Sequence, residues 1–407
     1  MFRLGVCLLP ALVLLAAGCG TGPRTSIREA VSPQELAAVD LGYYWHVVLP
    51  LEKGEHLTRL WHIDENVYCL TDRNRLMVHD AQSGVARWSR TLGRPDRVFY
   101  APSHCDRVQL PAAVGPGTAV NPPRDATIRL VDVVIVPSVV DALLMDRKNG
   151  ELIQRIDFSR ADFAASGPCV CDGHRIYIGT VKGWFFALDL RTGLVAWKQD
   201  AGAPIVAEPQ RMGSLLVVAA LNGRMIATNV AGAEPQRLWP HSPRPQATSG
   251  FAAGFVTEER GIFAGSQDYA VYAFEPQTGQ IMWRYPTGGA ISQAVQVGLS
   301  NVYARADNGV LYALALEPGR PQEKWTLPGG RLVLAELDGK VYLVNDRREL
   351  LVVDGAAGQV EARLPLSGLD VFVPNTQVPA IYAANRDGLL VRIDPGSKGF
   401  MSPEMLR

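Results

Sequence analysis

The chain is 407 residues long, carries 40 basic and 40 acidic side chains, and is 47% hydrophobic. That apolar content supports a large core and excludes global disorder. The balanced charge leaves no electrostatic footprint for nucleic acid. The 39 glycines and 28 prolines follow no collagen period, and with short Val, Ile and Tyr runs between them they read as many strands joined by turns.

The N-terminus reads as a targeting segment. Arg3 supplies a positive charge, Val6 to Ala17 form an apolar stretch broken by Pro10, and Leu15-Ala16-Ala17-Gly18-Cys19 follow. The stretch is too short to span a bilayer. Residues 1–18 are expected to be a signal peptide. The small residues before Cys19 resemble a bacterial lipobox, which implies cleavage there and lipid on Cys19. Residues 20–41 read as a flexible tether with a short helix around Pro33 to Val39. Beyond Cys7 and Cys19 the cysteines are Cys69, Cys105, Cys169 and Cys171. Export permits disulfides. A bridge between Cys169 and Cys171 across Val170 is strained, so a bridge from Cys105 to one of them, or from Cys69, is expected. His104 and His174 are the nearest imidazoles, and no second ligand pair at matching spacing supports a metal site.

A unit then recurs along the chain. Its clearest copy is Arg175-Ile176-Tyr177-Ile178-Gly179-Thr180, Lys182-Gly183, Phe185-Phe186-Ala187-Leu188-Asp189, Thr192-Gly193 and Ala196-Trp197. Copies are anchored at Tyr68, Ile135, Tyr177, Val217, Phe263, Tyr303, Tyr342 and Tyr382. From the third onward the spacing is about 40 residues, the signature of propeller blades. Asn222-Gly223, Asn308-Gly309 and Asp387-Gly388 suit two-residue hairpins. An acidic residue four before Gly (Asp80 and Gly84, Asp189 and Gly193, Glu275 and Gly279, Asp354 and Gly358) suits a longer capped turn. Trp88, Trp197 and Trp283 stand four residues after such a Gly, and Trp239 and Trp325 close weaker copies. At a fixed repeat position the indole is expected to be buried between blades. The strands Leu152 to Ile156 and Val360 to Leu364 lack it.

The first two anchors are separated by about 67 residues. The surplus, Arg94 to Arg129, contains six prolines and reads as a long loop on one face between blades 1 and 2. The last copy lacks a Trp strand, whereas the segment from Gly42 to Pro50 is a Trp strand, carrying Trp45, with no copy before it. That segment is expected to complete the last blade and remove open sheet edges. The fold expected is all-β: an eight-bladed propeller of four-stranded antiparallel blades over residues 42–398, closed by the N-terminal strand, with a tail at 399–407.

These copies resemble the quinoprotein-type (PQQ-like) repeat family, on Ala187-Leu188-Asp189, Thr192-Gly193 and Trp197. The resemblance covers about residues 42–397. A lipobox, a tether and one bare ring resemble the outer-membrane assembly factor BamB lipoproteins in particular. That branch implies a monomeric, non-catalytic scaffold, lipid-anchored to the outer membrane and facing the periplasm, which docks protein partners through loops on one face. A second branch, the PQQ- and calcium-dependent alcohol and sugar dehydrogenases, stacks its cofactor on a disulfide between adjacent cysteines. Cys169-Val170-Cys171 is not such a pair, so neither PQQ nor Ca²⁺ is expected. A third reading is a propeller that senses a ligand in its channel.

No phosphate loop, zinc-protease or serine-hydrolase motif occurs. His46 and His62 lie in expected strands and read as structural. Asp80, Asp146 and Asp189 read as turn caps rather than catalytic acids. The cluster Arg87, Arg90, Arg94 and Arg97 reads as a solvated blade edge.

Overall fold

The computed structural model describes residues 30–395, apart from 112–127, 162, 241–244, 317–320 and 377. Its strands form eight four-stranded antiparallel sheets. Blade 1 is Leu57–Ile63, Asn66–Thr71, Arg75–Asp80 and Ala86–Thr91, from the channel outward. The next six repeat this up-and-down order. In blade 8 the order is Val371–Phe372, Ile381–Ala384, Leu389–Pro395 and then the N-terminal strand Leu41–Val48. Leu41 pairs with Pro395 and Val48 with Leu389. The first strand after the tether thus closes the ring, as the repeat predicts.

The blades have the four strands expected, and the repeated pattern marks the outer three of them. The anchors Tyr68, Tyr177, Tyr303 and Tyr382 lie on second strands. The innermost strands lack a repeated pattern and shrink to Gln296–Val297 in blade 6 and Val371–Phe372 in blade 8. The expected insertion between blades 1 and 2 is corrected. Ser103–Pro111 is the inner strand of blade 2, paired with Ile128–Pro137, so only 112–127 of that stretch falls outside the described residues.

The tether is also shorter than expected. Ser32 caps a five-residue helix, α1 (Pro33–Ala37), and Glu35 completes the capping box. Leu36, Ala30 and Val31 are buried in the core between blades 7 and 8. Tyr43 Oη donates to the Val31 carbonyl at 2.9 Å. This segment fills the place of the third-to-outer turn that blade 8 lacks, because the chain enters and leaves there. The expected signal peptide, residues 1–18, and the expected tail, 399–407, lie outside the described residues.

The two faces of the disc are distinct. Inner-to-second and third-to-outer turns lie on one, here the turn face. Second-to-third hairpin tips and the blade-to-blade links lie on the other, the link face.

Candidate functional site

The tryptophans occupy slots between blades. Trp45 lies on the Gly84 turn of blade 1, where a β-carbon on Gly84 would come within 2.8 Å of the ring. Trp88 covers Gly150, Trp239 covers Gly279 and Trp325 covers Gly358, each too closely for a β-carbon. All four glycines have positive φ, 68° to 73°, so glycine answers both the turn and the ring. The acidic residue caps the same turn: Asp80 Oδ1 accepts from the N–H groups of Gln82 and Ser83, and Asp354 Oδ1 from those of Ala356 and Ala357. Across from three of the indoles stands an alanine: Ala187 pairs with Trp197, Ala273 with Trp283 and Ala313 with Trp325. A bulge follows each of these pairs.

The indole N–H groups differ. Those of Trp45, Trp88, Trp239 and Trp325 donate to the carbonyls of Ala81, Arg147, Pro276 and Gly355 at 2.9–3.1 Å. Those of Trp197 and Trp283 have no partner among the described residues. In blade 2 Gln154 holds the tryptophan position, buried beside Gly193, and neither amide atom has a partner among the described residues. Replacing Gln154 with leucine is expected to raise stability by about 1 kcal/mol, because a buried unbonded amide costs more than an alkyl group of similar shape. A denaturant midpoint that stays or falls argues against this.

Blade 8 carries Arg392 where other third strands place Ala187 or Ala273. Its guanidinium donates to Asp394 at 2.7 and 2.8 Å, to the Ala81 carbonyl at 3.0 Å and to Gln82 Oε1 at 2.8 Å. It lies over Tyr44 and Tyr382. One buried side chain thereby ties the last blade to the first.

Blades 1 to 3 are fastened near the channel. A disulfide joins Cys105 to Cys171, on the inner strands of blades 2 and 3, while Cys69 and Cys169 are buried free thiols. Burial pushes the Cys69 and Cys169 thiols far above their usual pKa, Cys169 to about 12. Next to the disulfide, His104 bridges Tyr68 Oη at 2.6 Å and Asp64 Oδ2 at 2.7 Å. Asp64, Glu65 and His104 bring their ligand-type atoms within 4.8 Å of one another. A cation is already there, since Arg147 reaches Glu65 at 3.3 Å and Asp106 at 2.7 Å. The group is an ionic latch between blades 1 and 2. Sequence reasoning missed it because its members are far apart in the chain. The arginines read as a blade edge are partly absorbed as well: Arg87 pairs with Asp80, Arg90 with the Gly150 carbonyl and Arg97 with Asp141.

Burial lowers the pKa of His46, His62, His79 and His104 below 6.5. The unfolded chain therefore takes up protons that the folded chain resists. Stability from this source is complete above 6.5 and is lost as pH falls through it. The thermal midpoint is expected to drop between about pH 7.5 and 5.5; a flat profile there would contradict the assignment.

The channel is partly filled. Between Phe372 and Ala380 the chain crosses from blade 8 toward blade 6, with Thr376 Oγ1 donating to the Val297 carbonyl at 2.6 Å and Asn375 N to the Val333 carbonyl. A cavity of about 640 Å³ remains, lined by His62, Gln296, Arg305, Arg331 and Asn375. On the link face, the hairpin tips of four consecutive blades expose apolar side chains: Val140 (49%), Val181 (51%), Leu221 (36%) and Tyr269 (59%). Val98, in the link from blade 1 to blade 2, extends this arc. The tips of the remaining blades are charged: Asp72-Arg73, Asp307, Asp346-Arg347-Arg348 and Arg386-Asp387. In sequence each apolar tip reads as the continuation of a strand, so the arc emerges only once the tips share a face.

Cys19 lies outside the described residues, and among those described no helix is long and apolar enough to cross a membrane.

Known proteins match this architecture. The outer membrane protein assembly factor BamB of Shewanella oneidensis is 28% identical over 236 residues, half of this chain and 59% of that protein. The chain thus matches about three-fifths of the length of this relative. A 44-residue stretch is 46% identical to a lanthanide-dependent methanol dehydrogenase of Methylacidiphilum fumariolicum, but covers 7% of that enzyme and so reflects one shared repeat. The crystal structure of BamB from Moraxella catarrhalis superposes with a TM-score of 0.62 at 12% identity, covering 87% of this chain and 97% of that one, which speaks for the fold alone. A family model described as outer membrane protein assembly factor BamB matches residues 139–361, more than half of the sequence. With its PQQ-like repeats and eight-bladed ring, the chain belongs to the BamB family of outer membrane protein assembly factors.

Proposed function

We propose that this propeller is a monomeric, non-catalytic scaffold, anchored by lipid on Cys19 to the outer membrane and facing the periplasm, which docks a protein partner of an outer-membrane assembly complex through its link face. The observation that carries this reading is the arc of exposed apolar tips, Val140, Val181, Leu221 and Tyr269, on consecutive blades of one face. A single exposed apolar side chain needs no explanation, but one on each of four consecutive hairpin tips of the same face supports an interaction site. Each tip joins two paired strands of its blade, which limits the ordering that binding would require.

The dehydrogenase reading finds less support. The disulfide that could serve as a stacking platform has both cysteines buried between two blades, and Arg147 occupies the one carboxylate and imidazole group, among the described residues, that would suit a cation.

The test is a triple substitution, Val181→Glu, Leu221→Asp and Tyr269→Glu, in the lipidated protein. Co-purification of outer-membrane assembly components is expected to fall at least about tenfold, since truncated interface anchors commonly cost more than 1 kcal/mol each. The thermal midpoint should hardly move, because these side chains are exposed. Undiminished co-purification sinks the docking face. Assembly components absent even with the parent protein sink the partner assignment.

A further inference from the structure

We propose that Arg224 and Arg237, on the outer side of the apolar arc, form a subsite for a carboxylate side chain of the protein partner that docks on the link face. This rests on the docking face of the proposed function. It goes further in naming a charge that the partner must carry.

Arg224 stands between the tip of blade 4, Leu221-Asn222-Gly223, and the third strand of that blade, Met225–Asn229. Arg237 comes from its outer strand, Gln236–Trp239. Both side chains reach the link that leaves blade 3. Arg237 Nη2 donates to the Asp200 carbonyl at 3.2 Å, and a β-carbon on Gly202 would come within 3.7 Å of Arg224 Nη1. The same link is bonded to the tips on either side of it. Ala201 N donates to the Gly183 carbonyl at 2.8 Å, and Asn222 Nδ2 donates to the Ala201 carbonyl at 3.1 Å. The two guanidinium groups therefore lie beside the interval between Val181 and Leu221, two neighbouring tips of the arc.

The charges at this place do not balance. Arg224 Nε is buried without an acceptor, and its guanidinium pairs with no carboxylate among the described residues. Asp200 is the carboxylate at hand, and its Oδ1 already accepts from Gly202 N at 2.7 Å. Burial lowers the pKa of Arg237, the charge on Arg224 lowers it further, and Asp200 restores less than Arg224 removes. Lys182, exposed on the tip of blade 3, adds a positive charge and no acceptor. Two neighbouring guanidinium groups with no acid between them repel each other and leave donors unused. A carboxylate brings two acceptor oxygens and the missing negative charge, so it can take hydrogen bonds from both arginines and cancel their repulsion. An amide or a hydroxyl brings acceptors without the charge. The partner is therefore expected to present an acidic side chain next to the apolar side chains that cover Val181 and Leu221.

Arg224→Met in the full-length lipidated protein tests this, because methionine keeps an apolar stem and removes the charge. Co-purification of outer-membrane assembly components is expected to fall about tenfold, and Arg224→Lys, which keeps the charge, should retain most of it. The thermal midpoint of Arg224→Met should hold or rise, because an unbonded buried donor and a like-charge contact go together. A purely structural arginine would instead lower the midpoint when removed. The Arg224→Lys complex is also treated with a carbodiimide, which joins an amine to an adjacent carboxylate as an amide and takes up the released water as its urea. Mass spectrometry of the cross-linked peptides should find position 224 bonded to an aspartate or glutamate of a co-purified component. Undiminished co-purification with Arg224→Met, a midpoint that falls, or a cross-link to Asp200 alone overturns the subsite. Assembly components absent even with the parent protein overturn the docking reading itself. Loss of the partner with the triple substitution in the arc, but not with Arg224→Met, overturns only the subsite.

Discussion

Replacing Arg392 with alanine is expected to cost about 3–5 kcal/mol and to loosen the ring at the junction of blades 8 and 1. Arg392 and Asp394 are almost wholly buried, at 5% and 2% side-chain exposure. Two charges removed from water are tolerable where they answer one another and the spare guanidinium protons find the Ala81 carbonyl and Gln82. Alanine would take the guanidinium away from the buried Asp394 carboxylate and from the Tyr44 and Tyr382 rings on which it rests. The first and last strands of the ring meet here, so the loss falls on a contact that no covalent connection backs up. Amides of Leu41–Val48 should exchange with solvent faster than those of blades 3 to 6, which are fastened by continuous chain. The double variant Arg392→Met, Asp394→Leu should regain much of the loss, because removing both charges leaves no buried ion. A single variant within about 1 kcal/mol of the parent, with exchange unchanged along Leu41–Val48, would show that the clasp is dispensable.

What the sequence discloses and what it hides follow from where the free energy lies. Turn chemistry is local, so Asp80 with Gly84 and Asp354 with Gly358 are visible as written, and the coordinates show the caps they imply. The indole of each repeat is visible too, because Trp88 and Trp283 stand four residues after Gly84 and Gly279, but the turn that Trp88 covers is the next blade's, at Gly150. The inner strands are not. Gln296–Val297 is two residues long and has no alternation to detect. In blade 2, prolines around Cys105 mask a nine-residue strand, because edge strands tolerate proline. The helix α1 announces its cap through Ser32, Pro33 and Glu35, but nothing local says that Leu36 is buried between blades 7 and 8. Arg392 is the clearest case. It stands in the Ala-Leu-Asp frame as Arg392-Ile393-Asp394, and reads as a worn repeat until Ala81, more than three hundred residues away, is found beside it.

Replacing Trp239 with alanine is expected to cost about 3–5 kcal/mol, the usual range for a large aromatic removed from a packed site. Trp239 is 1% exposed, covers Gly279 and donates to the Pro276 carbonyl at 2.9 Å. A more telling comparison sets Trp239→Phe against Trp197→Phe. Phenylalanine keeps most of the buried area and removes the N–H. At position 239 the Pro276 carbonyl loses its donor, so about 1–3 kcal/mol should go in addition to the small loss of contact. At position 197 the N–H has no partner among the described residues, and the turn it faces, Val230-Ala231-Gly232-Ala233-Glu234-Pro235, lacks the acidic-to-glycine frame. Removing an unbonded buried donor relieves a desolvation cost, so Trp197→Phe should be close to neutral. Denaturant titrations of the two variants beside the parent give the comparison directly. If Trp197→Phe proves as damaging as Trp239→Phe, the indoles act only as volume between blades, and the hydrogen bond to the neighbouring turn contributes nothing to holding them there.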